Sequence, residues 1–221
     1  MINNKKISDL IEETEKRLLE DFKAIDGIAL FNQKKVLNAF IKNKVALRHF
    51  SPTTGYGYGD EGREILNKVF ADVFKSESAI VSPHILSGTH AISLVLFALL
   101  RPNDVFMSIT GKPYDTLMDI IKGSEGSLDD FGIKYEQAEY TDGFDKIGIK
   151  QKILSRSPKI VFIQRSRGYT ARNPISAEEI NDICLFIKSI NHNIIIFVDN
   201  CYGEFIQKRE PVECGADIIA G

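Results

Sequence analysis

Hydrophobic positions change rhythm once along this chain. Near the start, Leu10, Ile11, Leu18, Leu19 and Phe22 recur at helical spacing, and Ile28, Phe31, Leu37, Phe40 and Ile41 do so again. The stretch HFSPTTGYGYGDEG then breaks the pattern and reads as loop. A helix is predicted over 63–75, with Ile65, Leu66, Val69, Phe70 and Val73 on one face. Beyond it, short apolar runs alternate with helical patterns. AIVSP predicts a strand, followed by a helix over 89–100. DVFMSIT is followed by a helix over 114–122, and IKYEQAEY by one over 145–155. KIVFIQ leads to a helix over 177–190, then NIIIFVDN, a short segment and ADIIAG. This alternation predicts a three-layer α/β/α unit with a mostly parallel sheet. KIVFI and NIIIFV are continuous rather than alternating, as central strands covered on both faces require. The expected division is a helical N-terminal extension, 1–50, and an α/β domain, 51–221. The first helix is acidic and lysine-rich on its solvated face. Its apolar stripe is expected to dock on the body or on a partner subunit.

Composition narrows the function. With 221 residues, 43% of them apolar, the chain can bury a core without disulfide or metal staples. Twenty-eight basic against 30 acidic side chains leave a net charge of -2, which argues against a nucleic-acid or anionic-membrane binder. The start has no apolar signal region, and the strongly apolar stretch Ala91 to Leu100 is too short to span a bilayer. Three cysteines without C-x-x-C spacing fit a reducing, cytoplasmic setting, with Cys201 read as a packed thiol. The four histidines form no i, i+4 pair, so no metal site is expected.

Ligands of parallel sheets bind at the carboxyl ends of strands, so the residues after each apolar run carry the candidate chemistry. Ser87-Gly88-Thr89-His90-Ala91 opens an apolar helix. Its amides suit a phosphate, and a plain N-cap is the alternative. Asp199-Asn200 ends NIIIFVDN; a carboxylate there is costly unless it holds a metal, pairs with a protonated ring nitrogen or caps a turn. Gly111-Lys112-Pro113-Tyr114 places an aromatic ring beyond another strand, for stacking or for packing. In the loop from Thr54 to Arg63, four glycines and two tyrosines lead into an arginine. It lacks the Walker A and dinucleotide spacings but can embrace an anion, unless it is simply a flexible surface loop. One ligand satisfies all four: a planar, phosphorylated, nitrogen-containing ring such as pyridoxal 5'-phosphate. Its phosphate would sit at 88–90, Tyr114 would stack on the ring, and Asp199 would keep the ring nitrogen protonated.

In their order, TGYGYGDEGRE, SGTHAI, GKPYDTL, FIQRSRGYTARNPIS, FVDNCYGEF and GADIIAG make the chain resemble the fold-type-I pyridoxal-phosphate enzymes. More closely, it is similar to the methionine γ-lyase family often labelled aluminium resistance proteins, relatives of the cystathionine lyases. The resemblance implies β- or γ-elimination from a sulfur-containing amino acid, in a homodimer or homotetramer with shared sites. It implies Gly88 and Thr89 as phosphate donors, Tyr114 as the stacking ring and Asp199 as the pyridinium partner. It implies Tyr56 and Tyr58 in the loop that reaches a neighbouring subunit's phosphate. Gln164 would contact the cofactor ring, and Arg165 and Arg167 a substrate carboxylate; a surface ion pair is the alternative for both arginines. GKPYDT departs from the Tyr-Gly-Gly-Thr of cystathionine lyases, and Tyr-x-Tyr replaces their Tyr-x-Arg. The Schiff-base lysine is expected just after Gly221, so no catalytic residue is assigned here. The C-terminal domain of relatives lies outside this stretch, and the 221-residue chain alone is expected to be inactive. Two other readings stay open: an aminotransferase or aldolase-like enzyme of this fold, and a non-catalytic phosphate- or nucleotide-binding module.

Overall fold

The computed structural model describes residues 4–53, 58–141 and 143–221. The chain begins with α1 (Asn4–Arg17) and α2 (Leu19–Lys42). Only Leu18 separates them: its N–H donates to Thr14 O and its carbonyl accepts from Phe22 N–H, so the two form one nearly continuous rod. Next come α3 (Glu61–Phe74) and α4 (Gly88–Leu99). The alternating part runs β1 (Val105–Ser108), α5 (Asp115–Ile121), β2 (Lys134–Gln137), α6 (Lys146–Arg156), β3 (Ile160–Gln164), α7 (Ala177–Ile190), β4 (Ile195–Asp199) and β5 (Ile218–Ala220).

Local sequence explains the helix starts. Asp60, Ser87 and Asp145 each accept an amide from the first turn of the helix they precede. Ser176 and Glu179 form a reciprocal capping box, which is why α7 begins where its pattern predicts.

The five strands are parallel in the order β2-β1-β3-β4-β5. Side chains alternate across the sheet, and both faces are covered. Met107, Val161, Ile163, Ile196 and Val198 pack against Ile149 and Ile153 of α6 and Ile180, Ile183 and Ile187 of α7. On the other face Phe106, Phe162 and Phe197 pack ring against ring, tilted and edge-on, at 5.6 and 5.5 Å between ring centres. They meet Ile92 and Leu96 of α4 and Leu117 and Ile121 of α5. Burial on both faces is the reason KIVFI and NIIIFV read as unbroken apolar runs.

One expectation is corrected. AIVSP forms no strand: the Val81 amide donates to the Asn67 side chain at 2.8 Å, so the run is tied to α3 rather than to a ladder. Of the two places expected for the apolar stripe of the first helix, the body does not cover it: Ile7, Leu10 and Ile11 are exposed. Asn32 and Ala39 of α2 are buried, with Ala39 and Val36 against Val69 and Val73 of α3, while Ile11, Leu18, Phe22, Ile25 and Leu37 stay exposed on other faces. No described helix is long and apolar enough to cross a membrane.

Candidate active site

The strand order reverses direction at β1: the chain leaves β1 for β2 on one side and later returns to β3 on the other. The carboxyl ends of β1 and β3 therefore frame a crevice where open parallel sheets take their ligands. Gln164, the last residue of β3, spans it. Its N–H donates to Thr110 Oγ1 at 3.0 Å, and its Oε1 accepts the Tyr114 N–H at 3.3 Å. Gly111, at φ +79°, turns the chain between those two contacts.

Tyr114 is half-buried against the α4–α5 side of the core and hydrogen-bonds Thr89 Oγ1 at 3.1 Å. This bond links the loop after β1 to the start of α4. There Ser87 Oγ takes the His90 amide at 3.1 Å, while the first-turn amides of Gly88 and Thr89 precede any intrahelical acceptor and face outward. A Cβ placed on Gly88 would meet nothing within 4 Å, so open space lies before this helix start. Burial raises the Tyr114 phenol above its usual range, and the Asp199 carboxylate adds to the shift.

Asp199 closes the constellation. It ends β4 opposite Gln164 in the β3–β4 register and is 2% exposed. Its Oδ1 accepts the Cys201 N–H at 3.1 Å. Among the described residues no cation forms an ion pair with it. Desolvation therefore raises its pKa to about 6, with Glu204 adding to the shift. A carboxylate held dry and without a counter-ion suits a ligand that brings a positive charge of its own.

Behind Asp199 the chain folds back through a tight loop in which Tyr202 (φ 66°) and Phe205 (φ 62°) are both left-handed. Bulky residues in that region cost about 1–3 kcal/mol each, so something must hold them. Arg165 does much of this. It is 1% exposed, and its guanidinium donates to Ile175 O, Asn200 Oδ1, Gly203 O and Gln207 Oε1 at 2.7–3.2 Å. A Cβ at Gly203 would lie 2.7 Å from the Arg165 stem, so glycine is required there. Arg165 was expected toward a substrate carboxylate, and this is corrected. Four of its five N–H groups go to internal acceptors, which makes it a clamp on the 200–207 loop. Arg167 is exposed on the loop after β3, and Tyr58 is 94% exposed ahead of α3. Tyr56 lies outside the described residues. Lys112 pairs with Asp115 at 3.4 Å. Among the described residues no group of three or more His, Cys, Asp or Glu side chains could hold a metal ion.

The chain matches the profile described as "Methionine gamma-lyase" over residues 7–221. It belongs to the methionine gamma-lyase family. The Listeria innocua protein described as a "putative cystathionine beta-lyase involved in aluminum resistance" is 50% identical, with a TM-score of 0.94 over 97% of this chain and 54% of that one. The carbon-sulfur lyase involved in aluminum resistance from Clostridium novyi NT is 43% identical, with a TM-score of 0.93 over 100% of this chain and 53% of its own. The uncharacterized protein YnbB of Bacillus subtilis is 47% identical over 204 residues, 90% of this chain and 48% of YnbB. The chain thus spans about half the length of these relatives. Its fold is that of the fold-type-I pyridoxal-phosphate enzymes.

Thr110, Gly203 and Glu210 were not singled out in this methionine gamma-lyase family chain from sequence, and Asn200 was named beside Asp199 without a role of its own. Asn200 and Gly203 sat in the quoted FVDNCYGEF, whereas Thr110 and Glu210 carry no local signal.

Burial of Asp199 predicts a pH-dependent instability. An unfolded aspartate titrates near 3.9, against about 6 in the fold. Between those values the folded chain holds the extra proton, so stability falls as pH rises from about 4 to 6 and is then flat. Asp199→Asn removes this penalty, worth about 3 kcal/mol at the conversion of 1.36 kcal/mol per unit. In denaturant titrations the variant is expected to be more stable than the parent at pH 7.5 and equal to it below pH 4. Equal stability at both pH values would contradict the burial cost.

Proposed function

We propose that this chain is the cofactor-binding portion of a pyridoxal 5'-phosphate-dependent carbon–sulfur lyase that acts on a small sulfur-containing amino acid. The observation that carries the reading is Asp199, a buried carboxylate without a counter-ion at the end of a central strand. A protonated pyridine nitrogen would supply the missing cation, with Asp199 as its partner. The open amides of Gly88 and Thr89 would take the phosphate, with the Thr89 hydroxyl held by Tyr114. The Tyr114 ring would lie against the cofactor ring, and Gln164 would keep the Tyr114 backbone in place. When bound, the cofactor supplies an electron sink for a carbanion at the substrate α-carbon. The chain's own part is to bind and orient the ring, to exclude water from Asp199 and to keep the ring nitrogen charged. Arg167 is the exposed cation proposed to meet a substrate carboxylate.

The protein is proposed to act as a homo-oligomer. Ile11, Leu18 and Ile25 recur every seven residues along the outer face of the rod and are 51%, 39% and 60% exposed. A stripe symmetric about Leu18 can pair with a second copy of itself around a two-fold axis. Tyr58, exposed ahead of α3, is proposed to reach a neighbouring copy's phosphate.

Two measurements test the reading. The first compares binding of pyridoxal 5'-phosphate with binding of its analogue bearing CH in place of the ring nitrogen. The chain is expected to prefer the pyridine by about 10–100-fold, the worth of one charge-assisted hydrogen bond of about 1.5–3 kcal/mol, and Asp199→Asn is expected to abolish the preference. Equal affinities in the parent chain would refute the role of Asp199. The second is light scattering: the parent is expected to be oligomeric, and Ile11→Glu with Ile25→Glu to shift it to lower mass. A parent that is monomeric at high concentration would contradict the oligomer.

A further inference from the structure

Two buried side-chain polar atoms lack a hydrogen-bond partner among the described residues: Asn32 Oδ1 and Lys35 Nζ. They stand one turn apart on the inner face of α2, a helix to which the reading above gives no part in binding the cofactor. The Lys35 side chain is only 8% exposed. Its Nζ lies 3.8 Å from Glu210 Oε1 and 5.6 Å above the Phe205 ring. Asn32 Nδ2 donates to Phe205 O and Gln207 O at 2.9 and 3.0 Å. Dehydrating an ammonium group for so long an ion pair is unfavourable, so its position needs another explanation.

Glu210 shows what Lys35 is facing. This fully buried carboxylate accepts the Phe205 N–H at 3.0 Å and the Asn200 side-chain amide at 3.3 Å. Arg165 Nη1 approaches its other oxygen at 3.9 Å, and the same nitrogen holds Asn200 Oδ1 at 2.7 Å. Arg165 grips the loop at Asn200, Gly203 and Gln207, but it does not touch the backbone of Phe205. That left-handed residue is held by Glu210 through its N–H and by Asn32 through its carbonyl. Two residues of α2 thus reach the loop that follows Asp199, Asn32 directly at Phe205 O and Lys35 through Glu210.

We propose that Lys35 is a positioning residue for Asp199. It holds Glu210 in place; Glu210 holds Phe205 and Asn200; and the loop so held keeps the Cys201 amide on the Asp199 carboxylate. The N-terminal helix is then part of the cofactor site's framework, and detaching it loosens the seat of the ring nitrogen. Only the ligand part of the test below rests on the pyridoxal-phosphate reading.

The test uses the 221-residue chain with Lys35→Met and Lys35→Arg, and with Lys35→Gln should the methionine variant not fold. Amide hydrogen exchange is expected to quicken at least tenfold at Cys201 and Phe205 in Lys35→Met, with Phe162 in β3 unchanged and Lys35→Arg close to the parent. Pyridoxal 5'-phosphate affinity is expected to fall about tenfold in Lys35→Met and to recover in Lys35→Arg. A purely structural lysine would speed exchange throughout the chain, and the arginine would not rescue the site. Exchange at Cys201 and Phe205 within twofold of the parent, or an arginine variant as defective as the methionine one, overturns the proposal. If the parent binds no pyridoxal 5'-phosphate, the cofactor reading fails, and exchange alone still decides the role of Lys35.

Discussion

A carboxylate held in the dry end of a parallel sheet raises the energy of the folded chain, and in this protein that cost is localised at Asp199. The strand that carries it is buried on both faces, so water cannot reach the group from either layer of helices. The single Cys201 amide offsets only part of the lost hydration. Residues around it keep the position from relaxing. Arg165 and Glu210 fix the loop that follows, and two left-handed residues are held inside that loop. Strain and uncompensated charge at one place are what a ligand-binding protein can retain and a purely structural one tends to lose.

Topology decides where that charge is useful. Reversal of strand order at β1 opens the crevice at the carboxyl ends of β1 and β3, and the β3–β4 register sets Asp199 beside Gln164. Gln164 reaches across to Thr110 and Tyr114, and Tyr114 in turn reaches Thr89 at the start of α4. Hydrogen bonds from Thr89 through Tyr114 to Gln164, and the strand register from Gln164 to Asp199, therefore relate a helix start fit for an anion to a carboxylate fit for a cation. A zwitterionic planar ligand matches both ends. The family relationship adds that such ligands belong to this fold, while residue-level chemistry rests on the groups themselves.

Much of the fold was legible because burial leaves a simple trace. β3 and β4 stand out as continuous apolar runs since both faces are covered, and α7 begins at its Ser176–Glu179 capping box. AIVSP misled because an apolar run signals burial but does not name a hydrogen-bonding neighbour; the Val81 amide found a side chain instead of a strand. Asp199 and Tyr114 could be singled out because position at a strand end carries meaning in a parallel sheet, and Gly88 because it opens an apolar helix after a capping serine. Arg165 could be located but not interpreted, because nothing in a sequence distinguishes a guanidinium facing solvent from one spent on four internal acceptors. Lys35 and Glu210 were invisible for a stronger reason. Each is an ordinary charged residue in its own segment, and their relation exists only across 175 positions of chain.

Carbon-13 NMR titration of the Asp199 carboxyl, with and without pyridoxal 5'-phosphate, measures the central quantity directly. The free chain should show a midpoint near 6, and the bound chain a fall of a unit or more as a protonated ring nitrogen takes the place of the missing cation. A midpoint near 4 in the free chain, unmoved by the ligand, would mean that Asp199 is neither desolvated nor a partner of the ring.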